Sequence, residues 1–122
     1  MKKKIIIDLD NTITIENQEK SYRDKEPNLK VINKLRDYKE MGFEIIIHTA
    51  RNMKTYNGDL SKINTNTLPV IIKWLKVNEV PFDGIVVGKP WCGVNGFYVD
   101  DKSIRPDEFT NLDYNEILNI IK

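Results

Sequence analysis

Short runs of apolar residues, mostly β-branched, recur along the chain between segments of helical periodicity. The first run is III at 5–7, and the sequence FEIIIH at 43–48 repeats its design. Two more runs follow, GIVV at 84–87 and GFYV at 96–99. Continuous apolar runs of this length are typical of strands that are covered on both faces of a sheet. The pattern therefore predicts four buried strands.

Three segments carry apolar residues at helical spacing. Residues 28–41 are followed by Gly42, which suits the end of a helix, and residues 107–122 repeat the helical pattern. Between them a helix has Pro69 in its first turn and ends before Pro81, because proline is tolerated at a helix start but not in its interior. The predicted cap of this second helix is a threonine, either Thr65 or Thr67.

The polar stretches after the first two strands are predicted to be loops. Residues 13–26 form a loop or short flap, and residues 52–66 contain the turn sequence Asn-Gly-Asp at 57–59. Strands that alternate with helices favour a parallel sheet with helices on both faces. We therefore expect an α/β fold, namely a three-layer, Rossmann-like domain with a mostly parallel central sheet.

Length and composition favour one small cytoplasmic domain. A chain of 122 residues has room for a single core, so residues 1–122 are expected to be one domain. Its 19 basic and 18 acidic side chains nearly cancel, which predicts no binding to nucleic acid or to a membrane surface. The apolar run behind the N-terminal lysines is too short for a signal peptide. The single cysteine, Cys92, fits a reducing compartment.

Polar side chains follow every predicted strand. Because the carboxyl ends of parallel strands lie at one edge of a sheet, these side chains are expected to meet there. Four carboxylates so close together repel one another unless a cation lies among them, and oxygen ligands without thiol or imidazole favour Mg²⁺. The residues concerned are Asp8, Asp10, Thr49, Lys89, Asp100 and Asp101.

A cation, an ammonium and a hydroxyl around one anion are what phosphoryl transfer requires, because that reaction depends on positioning and on charge neutralisation. Thr49 and Lys89 would face the anion. Of two neighbouring acids, one carboxylate can attack phosphorus and form an aspartyl-phosphate. The other can protonate the leaving alkoxide and later accept a proton from water. The residues therefore predict Mg²⁺-assisted phosphoryl transfer, with water as the final acceptor of the phosphoryl group.

Four motifs in this chain resemble, in their order, those of the haloacid dehalogenase (HAD) superfamily of phosphohydrolases. They are DLDNT at 8–12, Thr49 after IIIH, Lys89, and the pair Asp100-Asp101 after FYV. The resemblance extends over nearly the whole chain. It implies an α/β hydrolase that uses Mg²⁺ and an aspartyl-phosphate intermediate.

The resemblance also implies a role for each motif residue. Asp8 would be the nucleophile and Asp10 the general acid and base, and an aspartate at position 10 favours phosphatases and phosphomutases over other branches. Mg²⁺ would be bound by the Asp8 side chain, the Asp10 carbonyl group and Asp100, with Asp101 as an accessory ligand. The residues implied to bind phosphate are Asn11, Thr49, Ala50, Arg51 and Lys89.

Two longer stretches resemble a narrower group of enzymes. Residues 88–93 (GKPWCG) and 96–106 (GFYVDDKSIRP) are similar to the short phosphatases of bacterial capsular polysaccharide biosynthesis. A sugar phosphate or an amino-alcohol phosphate would then be the substrate. The segments 13–26 and 52–66 are about as short as loops, which implies a capless HAD fold. Closure of the site would depend on these loops or on a partner subunit, so a homo-oligomer is left open.

Two other functions use similar residues. A receiver-type phosphoacceptor module also combines an acid pair with a hydroxyl and a lysine, but it lacks an acid pair after the lysine, such as Asp100-Asp101 here. A metal-dependent nuclease could use the four carboxylates for two metal ions. It would require neither Thr49 nor Lys89, and the chain has no basic groove signature.

Four residues near the motifs have simpler interpretations as well. His48 lies within a strand run and is expected to be a structural histidine, and Cys92 is expected to be a small packing residue. Arg51 could contact the leaving group or form a structural salt bridge. For Trp91 a contact to the leaving group and a structural role are likewise both open.

Overall fold

The computed structural model describes all 122 residues and has a small parallel sheet at its centre. The strands are β1 (Lys4–Ile7), β2 (Glu44–Thr49) and β3 (Gly84–Val87), in the order β1-β2-β3. Both neighbouring pairs are parallel. The predicted α/β class and the parallel direction of these three strands are confirmed, and the sheet is open and three-stranded.

The chain divides into two compact units, residues 1–91 and residues 92–122. Unit 1 contains the sheet and the first three helices, and unit 2 contains the last two. That residues 1–122 form a single domain stays a prediction. No helix in either unit has the length and apolar character needed to cross a membrane.

The first helix, α1 (Leu29–Glu40), confirms the prediction for residues 28–41. The Asn28 side chain caps it by accepting a hydrogen bond from the Val31 main-chain N–H at 3.4 Å. Gly42 follows with φ of +93°, a conformation that glycine adopts without steric strain. Packing of α1 on β2 covers the sheet through four buried residues, Val31, Ile32, Leu35 and Tyr38.

The second helical segment begins earlier than predicted. The helix α2 (Leu60–Lys62), a π-helical turn (Ile63–Thr67) and α3 (Leu68–Val77) follow one another without a break. The cap is Asp59, whose Oδ1 accepts hydrogen bonds from the main-chain N–H groups of the first turn at 3.0 and 3.3 Å. The expected threonine cap and the expected loop up to residue 66 are therefore wrong, since Asp59 starts the helix directly after the turn.

The π-helical turn has a local cause in Pro69. Proline has no N–H and cannot continue the regular hydrogen-bond ladder of an α-helix. Just before it, the Leu68 N–H donates to the Ile63 carbonyl group, five residues earlier, so the helix widens where the ladder would be interrupted.

The sheet has one covered face and one exposed face. Along β2, Ile45, Ile47 and Thr49 are buried, and the residues between them are only half-buried. On the opposite face, Ile6 of β1 is 59% exposed and Val86 of β3 is 49% exposed. The prediction of strands buried on both faces is therefore wrong, because the sheet face that carries Ile6 lacks the cover that the other face has.

Unit 2 differs from the prediction in two ways. Residues 96–99, expected to be a fourth strand, lie outside any strand or helix. The single helix expected over residues 107–122 is two helices, α4 (Pro106–Asn111) and α5 (Tyr114–Ile121). The break has a clear cause, since Asp113 caps α5 by accepting a hydrogen bond from the Glu116 N–H at 2.9 Å.

Candidate active site

Three strand ends bring polar residues together at the carboxyl edge of the sheet in unit 1. Asp8 directly follows β1, Thr49 is the last residue of β2, and Lys89 comes two residues after β3. The Lys89 main-chain N–H donates to the Thr49 carbonyl oxygen at 3.1 Å, which joins the second and third strand ends. The convergence expected for these strand ends is present in the structure.

The turn after β1 is built around one carbonyl oxygen. The Leu9 carbonyl oxygen accepts hydrogen bonds from the N–H groups of Thr12, Ile13 and Thr14 at 3.3, 2.9 and 3.1 Å. Asn11 has φ of +57°, in the left-handed region that asparagine tolerates better than most residues. Its N–H donates to Thr14 Oγ1 at 3.0 Å. These bonds hold the chain between the two acids in a defined shape.

Both side-chain contacts of the Asp8 carboxylate are long. Its Oδ1 lies 3.9 Å from Lys89 Nζ, and its Oδ2 accepts a hydrogen bond from Thr12 Oγ1 at 3.4 Å. Burial raises the pKa of Asp8, and the charge of Asp10 raises it further, although Lys89 and hydrogen bonds from Leu9 and Thr12 oppose the shift. A half-buried carboxylate with weak contacts can turn toward an incoming ligand.

Asp10, by contrast, is held firmly by Arg51. Arg51 Nε donates to Asp10 Oδ2 at 3.1 Å, and Arg51 Nη2 donates to Asp10 Oδ1 at 2.7 Å. The Arg51 main-chain N–H donates to Thr49 Oγ1 at 3.1 Å, which fixes the arginine at the end of β2. Two parallel charge-assisted bonds are a strong arrangement. The salt bridge that the sequence left open for Arg51 is therefore present.

The remaining nitrogen of Arg51 has no hydrogen-bond partner. The side chain of Arg51 is only 1% exposed, and its Nη1 atom is buried. Buried polar atoms are satisfied in most native structures, so an unsatisfied donor needs an explanation. One hydrogen-bond donor of this cation is therefore unused, although the atom is shielded from solvent in this structure.

An aromatic residue that the sequence did not single out covers Arg51. The centre of the Tyr22 ring lies 4.2 Å from the guanidinium carbon, a cation–π contact. Tyr22 opens a 3₁₀ turn (Tyr22–Asp24) that the predicted loop 13–26 contains. Trp74 Nε1 donates to the Lys25 carbonyl oxygen at 2.8 Å and so ties this turn to α3. One aromatic residue in a polar stretch gives too little periodicity to reveal this contact.

The position of Lys89 depends on the glycine before it. Gly88 has φ of +84°, and a Cβ atom there would collide with the Leu60 side chain.

The charge of Lys89 also changes the pKa of His48, which lies on the exposed face of β2. Its pKa is lowered from 6.5 mainly by burial and then by the Lys89 charge, although Asp8 opposes the shift. Burial and the Lys89 charge thus favour the neutral imidazole.

The second acid pair belongs to unit 2. Asp100 and Asp101 are both exposed, and Asp100 Oδ1 accepts a hydrogen bond from the Lys102 N–H at 2.8 Å. No group of three or more histidine, cysteine, aspartate or glutamate side chains is arranged to hold a metal ion. The other implied phosphate binders, Asn11 and Ala50, are exposed and half-buried respectively.

The oxygen atoms of unit 1 fit part of a Mg²⁺ site. They are the loosely held Asp8 carboxylate and the Asp10 carbonyl oxygen, and none of the hydrogen bonds of the turn around Leu9 uses the latter. Mg²⁺ is typically bound by one or two carboxylates with water and phosphate oxygens. This donor set is of the right kind, and one more carboxylate would complete it.

Fold and site together define an α/β protein with an acid pair, a lysine and a buried arginine at one edge of a small parallel sheet. No family model matches the chain, and no curated protein does. Among solved structures it is similar to a structural-genomics target from Vibrio cholerae, at 51% identity and a TM-score of 0.94 over 98% of this chain and 96% of that chain. The chain belongs to the same family as that Vibrio cholerae protein.

Proposed function

We propose that the protein is a Mg²⁺-dependent phosphatase of the HAD type, with a capless Rossmann-like fold, that hydrolyses a small phosphomonoester. The observation that carries this proposal is the setting of Asp8. Its carboxylate lies at a strand end, has only long side-chain contacts, and is 3.9 Å from the ammonium group of Lys89. A carboxylate beside a cation suits attack on an anionic phosphate, whose charge the cation offsets.

Binding of the phosphate group would depend on three side chains. Lys89 supplies positive charge beside Asp8, and Arg51 supplies a second cation, whose buried Nη1 a phosphate would reach only when the residues that cover it move. Thr49 Oγ1 already accepts the Arg51 N–H, so its own hydroxyl hydrogen remains for a phosphate oxygen. The resemblance adds Asn11 and Ala50 to this phosphate-binding set. Bound Mg²⁺ would supply further neutralisation of phosphate charge, held by Asp8, the Asp10 carbonyl group and Asp100, with Asp101 accessory.

Asp8 would act as the nucleophile. A carboxylate oxygen forms a bond to phosphorus while the bond from phosphorus to the ester oxygen breaks, and the electron pair leaves with the alkoxide. Asp10 gives this alkoxide a proton. Water then attacks phosphorus in the aspartyl-phosphate, Asp10 accepts a proton from that water, and inorganic phosphate leaves with Asp8 restored.

Arg51 would act as a positioning residue for Asp10. Both carboxylate oxygens of Asp10 accept hydrogen bonds from Arg51, whereas a protonated acid must present one oxygen as an O–H donor. Asp10 must therefore release at least one of these bonds before it donates a proton. If an anionic substrate attracted the guanidinium, one of these bonds would be released and an Asp10 oxygen would be freed for proton transfer.

The resemblance to short phosphatases of capsular polysaccharide biosynthesis directs the choice of substrate. Sugar phosphates and amino-alcohol phosphates are small, and a site closed by short loops suits small leaving groups. We propose a cytoplasmic enzyme in such a pathway. Neither nucleic acid nor a membrane is a proposed partner, since the formal net charge of the chain is only +1.

The proposal is tested by incubating the purified protein with an aryl phosphate and with panels of sugar, amino-alcohol and nucleoside phosphates, in Mg²⁺ or in EDTA. We expect Mg²⁺-dependent release of phosphate and a loss of more than about 10³-fold in Asp8→Asn. Asp37→Asn, on the exposed side of α1, is the matched control and should keep full activity. Hydrolysis that survives EDTA or Asp8→Asn would overturn the mechanism, and cleavage of DNA or RNA would favour the nuclease.

A further inference from the structure

Unit 1 leaves an apolar sheet face and a strand edge uncovered. The register of the sheet pairs Ile6 with Ile46 and His48 with Val86. Because Ile46 and His48 are two residues apart on β2, all four side chains lie on the same face. Ile6 and Val86 are largely exposed on it. β1 pairs only with β2, so its other edge presents unpaired main-chain groups. Exposed apolar faces and open strand edges are typical sites of association.

Unit 2 carries a segment with the composition of a strand but without strand structure. Phe97 is 80% exposed and Val99 is 88% exposed, and residues 96–99 lie in no strand or helix. Aromatic and β-branched residues favour strands because they pack on a pleated, half-buried surface. The helix α5 adds two more exposed apolar residues, Leu118 and Ile120. Unit 1 thus has an acceptor surface with exposed apolar residues, and unit 2 has an exposed strand-forming segment.

We propose that two copies of the chain exchange unit 2, so that residues 96–99 of each copy extend the sheet of the other along the open edge of β1. Each copy then gives one strand and receives one, which closes the assembly as a two-fold dimer with no free edge at β1. The exposed apolar residues of α5 cover the face that carries Ile6. A net charge of +1 per chain opposes this association very little.

The turn at the start of unit 2 supports an exchange. Gly93 has φ of +83°, and a Cβ atom at Gly96 would collide with the carbonyl oxygen of Cys92. The chain is thus tightly turned over residues 92–96, directly before the exposed segment. Short hinge loops favour exchange between copies when folding back within one chain would strain them.

The choice of the β1 edge rests on the proposed function. The sequence III-Asp ends at Asp8, and the sequence FYV-Asp ends at Asp100. Pairing these two runs in parallel, with Val99 beside Ile7, sets the second copy's Asp100 next to Asp8. The carboxylate that the Mg²⁺ donor set of unit 1 lacks would then come from the other copy, so each active site is shared between two chains.

Mass measurement gives the first test. By light scattering after size exclusion, the wild type should have twice the chain mass of 14.3 kDa, and Val99→Lys should have that mass once, with unchanged circular dichroism. Leu29→Lys changes an equally apolar exposed residue outside both surfaces and should remain a dimer. A monomeric wild type, or a Val99→Lys variant that stays a dimer, would overturn the exchange.

Mixing two inactive variants tests the shared site. When Asp8→Asn and Asp100→Asn are unfolded and refolded together, half of the dimers combine one of each, and each of these holds one intact site. The mixture should regain about a quarter of the activity of refolded wild type, whereas each variant alone stays inactive. No recovery, with wild type active after the same treatment, would show that each site is built within one chain.

Disulfide cross-linking tests the exchange without a measurement of enzyme activity. In a Cys92→Ser background, Ile6→Cys with Tyr98→Cys places one cysteine on β1 and one at the proposed neighbouring position. Oxidation should give covalently linked dimers in denaturing gels. A monomer with an internal disulfide, or no disulfide at all, would overturn the proposal. If the wild type hydrolyses no phosphate, the proposed function fails, and the disulfide and mass still decide the exchange.

Discussion

Arg51 donates two hydrogen bonds to Asp10, from Nε to Oδ2 at 3.1 Å and from Nη2 to Oδ1 at 2.7 Å. The guanidinium is almost completely buried, whereas Asp10 is about one-third exposed. Asp10 is therefore the partner that keeps a buried charge satisfied. Asp10 thus has a structural role in addition to the proposed transfer of protons.

Replacing Asp10 should destabilise the protein even without substrate or metal. Asp10→Ala leaves a buried guanidinium without its main partner, and we expect a loss of about 2 kcal/mol in the free energy of unfolding. This is less than for a fully buried pair because Asp10 is partly exposed. Urea unfolding in EDTA measures the effect, with Asp37→Ala as the control. Equal stability of Asp10→Ala and wild type would contradict this structural role of Asp10.

Replacing Asp8 should have the opposite effect at neutral pH. Burial raises the pKa of Asp8 above 3.8, so the folded state binds a proton more tightly than the unfolded state. The ionised carboxylate therefore lowers the free energy of unfolding above pH 3.8, and this effect vanishes as the pH falls below 3.8. In EDTA, Asp8→Asn should be more stable than wild type at pH 7, and the two should converge in acid. Thermal unfolding across pH measures this, and a variant that is less stable at pH 7 would refute the sign.

Asp83 should stabilise the connection before β3 in a pH-dependent way. Its Oδ2 accepts a hydrogen bond from the Ile45 N–H at 2.7 Å, and its Oδ1 lies 2.5 Å from Lys39 Nζ. The hydrogen bond from Lys39 has the larger effect, and together with the bond from the Ile45 N–H it holds the pKa of Asp83 below 3.8. Asp83→Ala should lower stability by about 1 kcal/mol at pH 7.

The pH dependence separates this effect from simple loss of packing. A carboxylate with a lowered pKa contributes stability above the unfolded value of 3.8 and loses it as pH falls through the folded value. The difference between Asp83→Ala and wild type should therefore shrink below pH 4. Lys39→Met removes only a partly exposed ion pair and should cost less. A difference that is constant with pH would exclude the ionised group as its source.

Trp74 should control the turn that covers Arg51. Trp74→Phe keeps an aromatic ring on α3 but removes the hydrogen bond from Nε1 to the Lys25 carbonyl oxygen. We expect a loss of about 1 kcal/mol and faster amide exchange in residues 20–26. Hydrogen exchange followed by mass spectrometry measures this, with residues of α1 as the internal reference. Unchanged exchange in residues 20–26 would show that packing alone holds the turn.

Much of unit 1 could be predicted because its signals are local. The apolar runs of β1, β2 and β3 and the cap and C-terminal glycine of α1 specify those elements directly. Parallel pairing then brings the strand ends to one edge. The start of α2 at Leu60, capped by Asp59, is not evident from the sequence because a turn sequence and a helix cap overlap there.

Other features depend on contacts that no local pattern reveals. A run of isoleucines has no alternation, so it does not show that only one sheet face is covered. The segment GFYV has strand composition, yet a strand forms only where an edge is available to pair with it. Arg51 and Asp10 are 41 residues apart in sequence, and their bidentate contact follows from sheet register and from the turn after β1.

The most direct test of the account is to trap the intermediate that it assigns to Asp8. The protein is quenched during turnover of an aryl phosphate with Mg²⁺ and treated with borohydride, which reduces an aspartyl-phosphate to homoserine. Peptide mass spectrometry then locates the modified residue. We predict homoserine at position 8 in wild type and none in EDTA. Homoserine at another position, or none at any position while phosphate is being released, would contradict the central claim.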